Sequence, residues 1–253
     1  MNAIATFTTV TAIGLLLLSG CGGSDDPSSD AHYEEAMFRG DAQHTGVYDI
    51  GSVAQDIGLK WKFKSGEEIR SSPAVVDGVA YIGIYDGHLY AVDIETGQEK
   101  WRLETDDSMY SSPAIADGVA YVGSWDGHVY AVDTETGDEK WKFETGDQAV
   151  SSPAVVDGTV YFGSVDGNLY AVDIETGRED WKFRIAKGFV FSSPAVAGGV
   201  VYYGSHDGNL YAVDAGTGQG RWKFKTGKDL ESSPGHRRWG GLFRTLGRVP
   251  YTR

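Results

Sequence analysis

A single cysteine, Cys21, is all the chain has, so it can build neither a disulfide framework nor a cysteine-based metal site. Basic residues are also short. The 22 Lys and Arg stand against 36 Asp and Glu, for a net charge of -14. A surface of that sign does not neutralise phosphates, which excludes nucleic acid as the expected partner. No apolar run is long enough to span a bilayer dependably; the best one ends at Leu15-Leu16-Leu17-Leu18 and is short and N-terminal. The six His are scattered without His-x-x-x-His spacing, and no P-loop, dinucleotide fingerprint or nucleophile motif is present. Helical architecture is disfavoured too, because the 35 Gly recur in turn-forming pairs between short apolar runs rich in Val, Ile and Tyr.

The apolar run leads into Leu18-Ser19-Gly20-Cys21, which resembles a bacterial lipobox. That resemblance implies a signal peptide over residues 1–20, cleavage before Cys21 and a lipid on its sulfur. Residues 22–32 are Gly, Ser, Asp, Pro, Ala and His and cannot bury apolar surface, so 21–56 reads as a tether and lead-in segment. Gly22 stands where an inner-membrane retention signal would place Asp. By analogy this favours the outer membrane, facing the periplasm, with contact to the membrane through the lipid alone.

Self-similarity dominates residues 57–234. Ser-Ser-Pro recurs at 71, 111, 151, 192 and 232, and Trp at 61, 101, 141, 181 and 222, with one extra residue near 185–191. The period is that of one four-stranded propeller blade. In the first repeat the reading places strands at Ser72–Val76, Val79–Ile84, Leu89–Asp93 and about Glu99–Glu104. Asp77-Gly78 between apolar runs is a hairpin signal, since the turn needs positive φ. The first two strands are apolar at nearly every position, as in a blade buried between neighbours. The expected fold is therefore an all-β propeller of four-stranded antiparallel blades. It has four full sets, a lone outer strand at Leu59–Phe63, and the beginning of a fifth set at Ser232-Ser233-Pro234.

Ala91-Val92-Asp93-Ile94-Glu95-Thr96-Gly97-Gln98-Glu99-Lys100-Trp101 is similar to the docking motif of pyrroloquinoline-quinone (PQQ) repeat propellers, and it returns at Ala131–Trp141, Ala171–Trp181 and Ala212–Trp222. The resemblance implies that Trp101, Trp141, Trp181 and Trp222 lock one blade to the next. The Asp of each motif is expected to bond its own turn.

The pattern stops after Pro234. Residues 235–253 contain five Arg and no acid, which leaves -19 on residues 1–234. Read one base later, codons compatible with Gly235–Pro250 can encode most of the segment Ala114–Val129. The expectation is a frameshifted tail and a propeller whose remaining blades are missing.

Parity along an antiparallel blade puts the a–b and c–d turns on one face, and the b–c turns and d-to-a connections on the other. The first face is nearly uniform across repeats. The second varies, with Arg70, Tyr110, Val150, Phe191 and Glu231 ending its connections and Tyr85, Trp125, Val165 and His206 preceding its b–c turns. Varied loops on a rigid scaffold are where binding residues sit, so Trp125, Tyr110, Tyr85, Phe191, Arg70 and His206 are the candidate binding residues. His88 and His128 are read as loop residues rather than metal ligands.

The resemblance to lipid-anchored PQQ-repeat propellers of the BamB type implies a non-enzymatic scaffold that holds a protein partner of the cell envelope, with no cofactor. The same motif is shared with quinoprotein dehydrogenases, which implies PQQ and calcium as an alternative. The vicinal cysteine pair and haem attachment motif of those enzymes are missing. A third reading is a non-functional remnant of a larger gene.

Overall fold

The computed structural model describes residues 58–185, 189–227, Leu230 and Ser233. The proposed signal peptide and lipidation site at Cys21, the whole tether and lead-in segment 21–56, Glu231 and the tail 235–253 lie outside them.

Four antiparallel four-stranded sheets follow one another in sequence order, each built from one repeat. Blade one is β1 (Ala74–Val76), β2 (Val79–Gly83), β3 (His88–Asp93) and β4 (Glu99–Glu104). Blade two is β5 (Ala114–Ala116), β6 (Val119–Gly123), β7 (His128–Asp133) and β8 (Glu139–Glu144). Blade three is β9 (Ala154–Val156), β10 (Thr159–Gly163), β11 (Asn168–Asp173) and β12 (Glu179–Arg184). Blade four is β13 (Ala195–Ala197), β14 (Val200–Gly204), β15 (Asn209–Asp214) and β16 (Gly220–Lys225). The short first strands β1, β5, β9 and β13 lie side by side along the inside of the array, and among the described residues the sheets do not close into a ring.

Local chemistry sets each strand. Asp77, Asp117 and Asp157 adopt φ of 49°, 49° and 48°, each followed by a positive-φ Gly, so two-residue turns pair Val76 with Val79 and its equivalents. Blade four uses Gly198-Gly199 at the same place. A bulge in the outer strand of every blade, with Lys100 as the extra residue opposite Ala91/Val92 in the first, adds local twist there. The two inner strands of blade one are buried throughout, whereas β4 alternates, with only Trp101 and Leu103 drawn inward. This is the double-sided burial expected of a blade between neighbours.

Three strand limits differ from the sequence reading. The first strand begins at Ala74 rather than Ser72, because the Ser72 N–H is used outside the sheet, donating to Ser112 Oγ of the next blade at 2.9 Å. The second ends at Gly83, since Ile84 already belongs to the turn. The third begins at His88 because that residue pairs with Glu104 of the outer strand. The lone outer strand expected at Leu59–Phe63 is not a strand, for it has no third strand beside it among the described residues. Its side chains nevertheless dock as an outer strand's do, with Phe63 buried against blade one.

Blade holds blade by three repeated devices. A serine ladder runs along the inner strands: Ser72, Ser112, Ser152 and Ser193 N–H groups donate to Ser112, Ser152, Ser193 and Ser233 Oγ, all at 2.9 Å. At the outer edge, the Trp61, Trp101, Trp141 and Trp181 indoles donate to the carbonyls of Ile94, Thr134, Ile174 and Ala215 in the following blade, at 2.6, 3.0, 2.9 and 2.9 Å. Each ring lies on the Gly of the Thr-Gly turn; a Cβ on Gly137 would sit 2.8 Å from Trp101 Cδ2. Near the b–c turns, Asp126 and Asp166 accept from their own Tyr130 and Tyr170 hydroxyls and from the Asp106 and Gly146 N–H groups of the preceding connection.

The Asp of each docking motif bonds its own turn, as its sequence position suggested. Asp93, Asp133, Asp173 and Asp214 each accept from the Thr hydroxyl and N–H three residues on. Asp93 and Asp173 are held below the usual carboxylate range chiefly by the Thr96 and Thr176 hydroxyls, and Asp133 chiefly by the Thr136 N–H. Asp214 is pushed down to about 2, first by Arg221 and then by Thr217. Carboxylates depressed in the folded state stabilise it above their unfolded pKa of about 3.9. That contribution is lost as pH falls through the folded values. The expected outcome is a urea midpoint that is steady near neutrality and falls progressively from about pH 5 towards pH 2. A midpoint unchanged across that range would contradict the role given to these turns.

Candidate functional site

The varied face is built from backbone pairings between each b–c turn and the connection that precedes its blade. Tyr85, Trp125, Val165 and His206 N–H groups donate to Glu68, Ser108, Gln148 and Phe189 carbonyls at 3.1, 2.9, 3.0 and 3.2 Å. Each pairing fixes one turn residue beside one connection residue, so side chains of neighbouring blades meet at the same rim.

Four of the six candidates form one cluster. Tyr85 of blade one and Trp125 of blade two meet edge to face, with centroids 5.3 Å apart. Tyr110 stacks on Trp125 at 6.5 Å and 25° and meets Tyr85 at 6.5 Å. Arg70 lays its guanidinium 5.2 Å from the Tyr85 centroid, within cation–π range. Its Nε and Nη2 donate to Glu68 at 3.0 and 2.8 Å, which keeps it charged and oriented. Tyr110 is 41% exposed and forms the outer surface of the cluster. The Trp125 Nε1 donor is buried and meets no acceptor among the described residues, a costly state for an N–H group.

The other two candidates form a second cluster on blade four. Phe191 stacks on His206 at 4.8 Å and 27°. Phe189, 47% exposed, closes on both rings at 6.2 and 6.1 Å. Sequence reasoning did not single out Phe189. Its signal was the one extra residue that breaks the repeat near 185–191. Between the clusters blade three presents Val150 and Val165, which carry no polar group.

His88 and His128 lie against Asp86 and Asp126 of their own turns at 3.3 and 3.2 Å, so they close loops. Trp101, Trp141 and Trp181 dock between blades through the indole bonds given above. Trp222 is 48% exposed, and no following blade covers it among the described residues. No group of three or more His, Cys, Asp or Glu that could hold a metal ion occurs among the described residues. The chemistry this face offers is recognition by aromatic faces, one guanidinium and one buried N–H donor.

Residues 48–238 match the family model described as the β-propeller of the beta-alanine-activating enzyme. Among solved structures, BamB from Moraxella catarrhalis is similar at 25% identity with a TM-score of 0.62, over 69% of this chain and 55% of that one. Quinohemoprotein alcohol dehydrogenase from Comamonas testosteroni is similar at 21% identity and TM-score 0.68, over 79% of this chain and 42% of that one. The computationally designed Ika8 protein is similar at 21% identity and TM-score 0.62, over 69% of this chain and 54% of that one. The chain thus spans about half the length, or less, of these structures. No curated protein sequence matches it. Likeness to BamB, an alcohol dehydrogenase and a designed protein at once is a likeness of fold.

Proposed function

Because the chain belongs to the β-propeller family of the beta-alanine-activating enzyme, with PQQ-like repeats, we propose that it is a non-enzymatic scaffold that binds a protein partner of the cell envelope through its b–c/d–a face. The observation that carries this reading is the gathering of Arg70, Tyr85, Tyr110 and Trp125 into one partly exposed cluster on the varied face, opposite a face nearly uniform from blade to blade. Aromatic and Arg side chains are the residue types that dominate interface energies. The similarity to BamB supports a protein partner. The lipobox-like Leu18–Cys21 supports an anchor in the bacterial envelope, with the outer membrane favoured and the domain facing the periplasm.

Trp125→Ala and Tyr110→Ala should each weaken capture of the partner at least about tenfold, as expected for aromatic anchors. The measurement is quantitative pull-down from cross-linked envelopes, followed by titration against the purified partner. Retained affinity across several such changes would show that the binding surface is elsewhere. In a parallel arm, PQQ and Ca²⁺ added to the purified chain should give no alcohol-dependent dye reduction. Reduction above the protein-free control would replace the scaffold reading with the dehydrogenase one.

A further inference from the structure

Asp-Gly occurs seven times among the described residues, in two settings. Asp77, Asp117 and Asp157 stand in the a–b turns, and Asp86, Asp126, Asp166 and Asp207 in the b–c turns. The pairs are alike in sequence, so the fold decides any difference in their chemistry. The chemistry open to them is ring closure. The Gly amide nitrogen attacks the Asp side-chain carboxyl carbon and a C–N bond forms. The carboxyl hydroxyl leaves as water with the amide proton. Water then opens the cyclic imide at the Asp main-chain carbonyl, breaking the original C–N bond there. The product is isoaspartate, with the chain routed through the side chain and the α-carboxylate free. Water is the only reactant, and one molecule is lost and one regained. Gly is the favourable neighbour because no Cβ shields its nitrogen.

The b–c turns hold both reacting groups. Their four Gly are buried, and the N–H groups of Gly87, Gly127, Gly167 and Gly208 donate to the Ile84, Ser124, Ser164 and Ser205 carbonyls at 3.1, 3.3, 3.2 and 3.1 Å. The Asp carboxylates accept from the Tyr90, Tyr130, Tyr170 and Tyr211 hydroxyls and from the N–H two residues on. Asp126 and Asp166 also accept from the preceding connection. Bonds to a charged acceptor are the stronger kind, and they favour the ionised carboxylate, which has no hydroxyl to lose. The a–b turns hold neither group. Asp77, Asp117 and Asp157 and the Gly after each are exposed. Among the described residues their carboxylates accept no hydrogen bond, and the N–H groups of Gly78, Gly118 and Gly158 donate none. A Cβ on Gly78 would meet nothing within 4 Å, and on Gly118 and Gly158 only Thr134 Oγ1 at 3.8 Å and Ile174 Cγ2 at 4.0 Å. Blade four carries Gly198-Gly199 at this place and has no carboxyl to react.

We propose that Asp77, Asp117 and Asp157 are modification sites that isomerise to isoaspartate, while the fold protects Asp86, Asp126, Asp166 and Asp207. In mildly acidic buffer, the full folded chain should gain isoaspartate at the three a–b turns at least about tenfold faster than at the b–c turns, a ratio equal to about 1.4 kcal/mol of barrier. Tryptic peptides, fragmented to place the isomerised residue, read each rate. In concentrated urea the rates at all seven sites should converge. Gly198→Asp should add a fourth fast site in the folded chain. Comparable rates at both kinds of turn in the folded chain, or faster reaction at the b–c turns, overturn the proposal. A difference that persists undiminished in urea also overturns it, because flanking sequence and not the fold would then set the rates. A folded chain in which neither kind of turn reacts, while the urea-unfolded chain does, overturns the reactivity given to the a–b turns.

Discussion

Trp141→Ala should cost about 3 kcal/mol of stability, the lower end of the range for removing a buried large aromatic side chain. The ring lies between blades two and three, with its indole on the Ile174 carbonyl at 2.9 Å, its face on Gly177 and Tyr121 at 5.8 Å. It is partly exposed, so the upper end of that range does not apply. Gly177→Ala attacks the same contact from the other side. The new Cβ would stand 2.7 Å from Trp141 Cδ2, and the residue has φ of 67°, so the change both pushes the ring away and strains the backbone. Its expected cost is about 2 kcal/mol. The double variant should be less destabilised than the two single effects together, because with the ring gone the added methyl no longer collides with it. Urea midpoints of the four proteins read this coupling. Strict additivity would mean that the Trp and the Gly act independently, against the docking geometry.

Gly123→Ala should be as damaging, at about 3 kcal/mol, the upper part of the overpacking range. Gly123 is not a positive-φ residue, so the reason is space. A Cβ there would fall on the Ala149 carbonyl oxygen, and Ala149 cannot retreat because its N–H is bonded to the Ser124 carbonyl at 3.0 Å. Gly198→Asp is the control. It installs the residue that Asp77, Asp117 and Asp157 already supply at the same turn, with nothing within 4 Å of the new Cβ. The urea midpoint should move by no more than about 0.5 kcal/mol equivalent. A Gly123→Ala midpoint as mild as that of Gly198→Asp would refute the close approach of the connection to the second strand.

The repeat made blade number and strand order legible because every within-blade contact recurs at a fixed offset. Turn chemistry at Asp77-Gly78 and the burial of β1 and β2 needed no knowledge of neighbours. What escaped were features decided between blades. Ser72 reads as a strand residue by its place before an apolar run, yet its N–H goes to Ser112. Leu59–Phe63 has an outer strand's pattern, but a strand is defined by its partner, and the partner is what it lacks. The varied face was legible as a set of positions, since parity alone puts Tyr85, Tyr110 and Trp125 on one side. That they touch, that Arg70 lies over Tyr85 and that Phe189 joins Phe191 and His206 depend on contacts between non-equivalent positions of adjacent repeats. A periodic pattern does not encode those contacts.

The indoles of blades one, two and three reach forward 33 or 34 residues to a carbonyl in the next, as from Trp101 to Thr134. The array therefore has a direction, and a blade finished by its own four strands is still unfinished until its successor's turn has emerged. For a ribosome adding about 5–20 residues per second, the wait is about 2–7 s. However long the nascent chain grows, only its last blade stands uncovered, so the apolar surface awaiting protection stays constant while the protein lengthens.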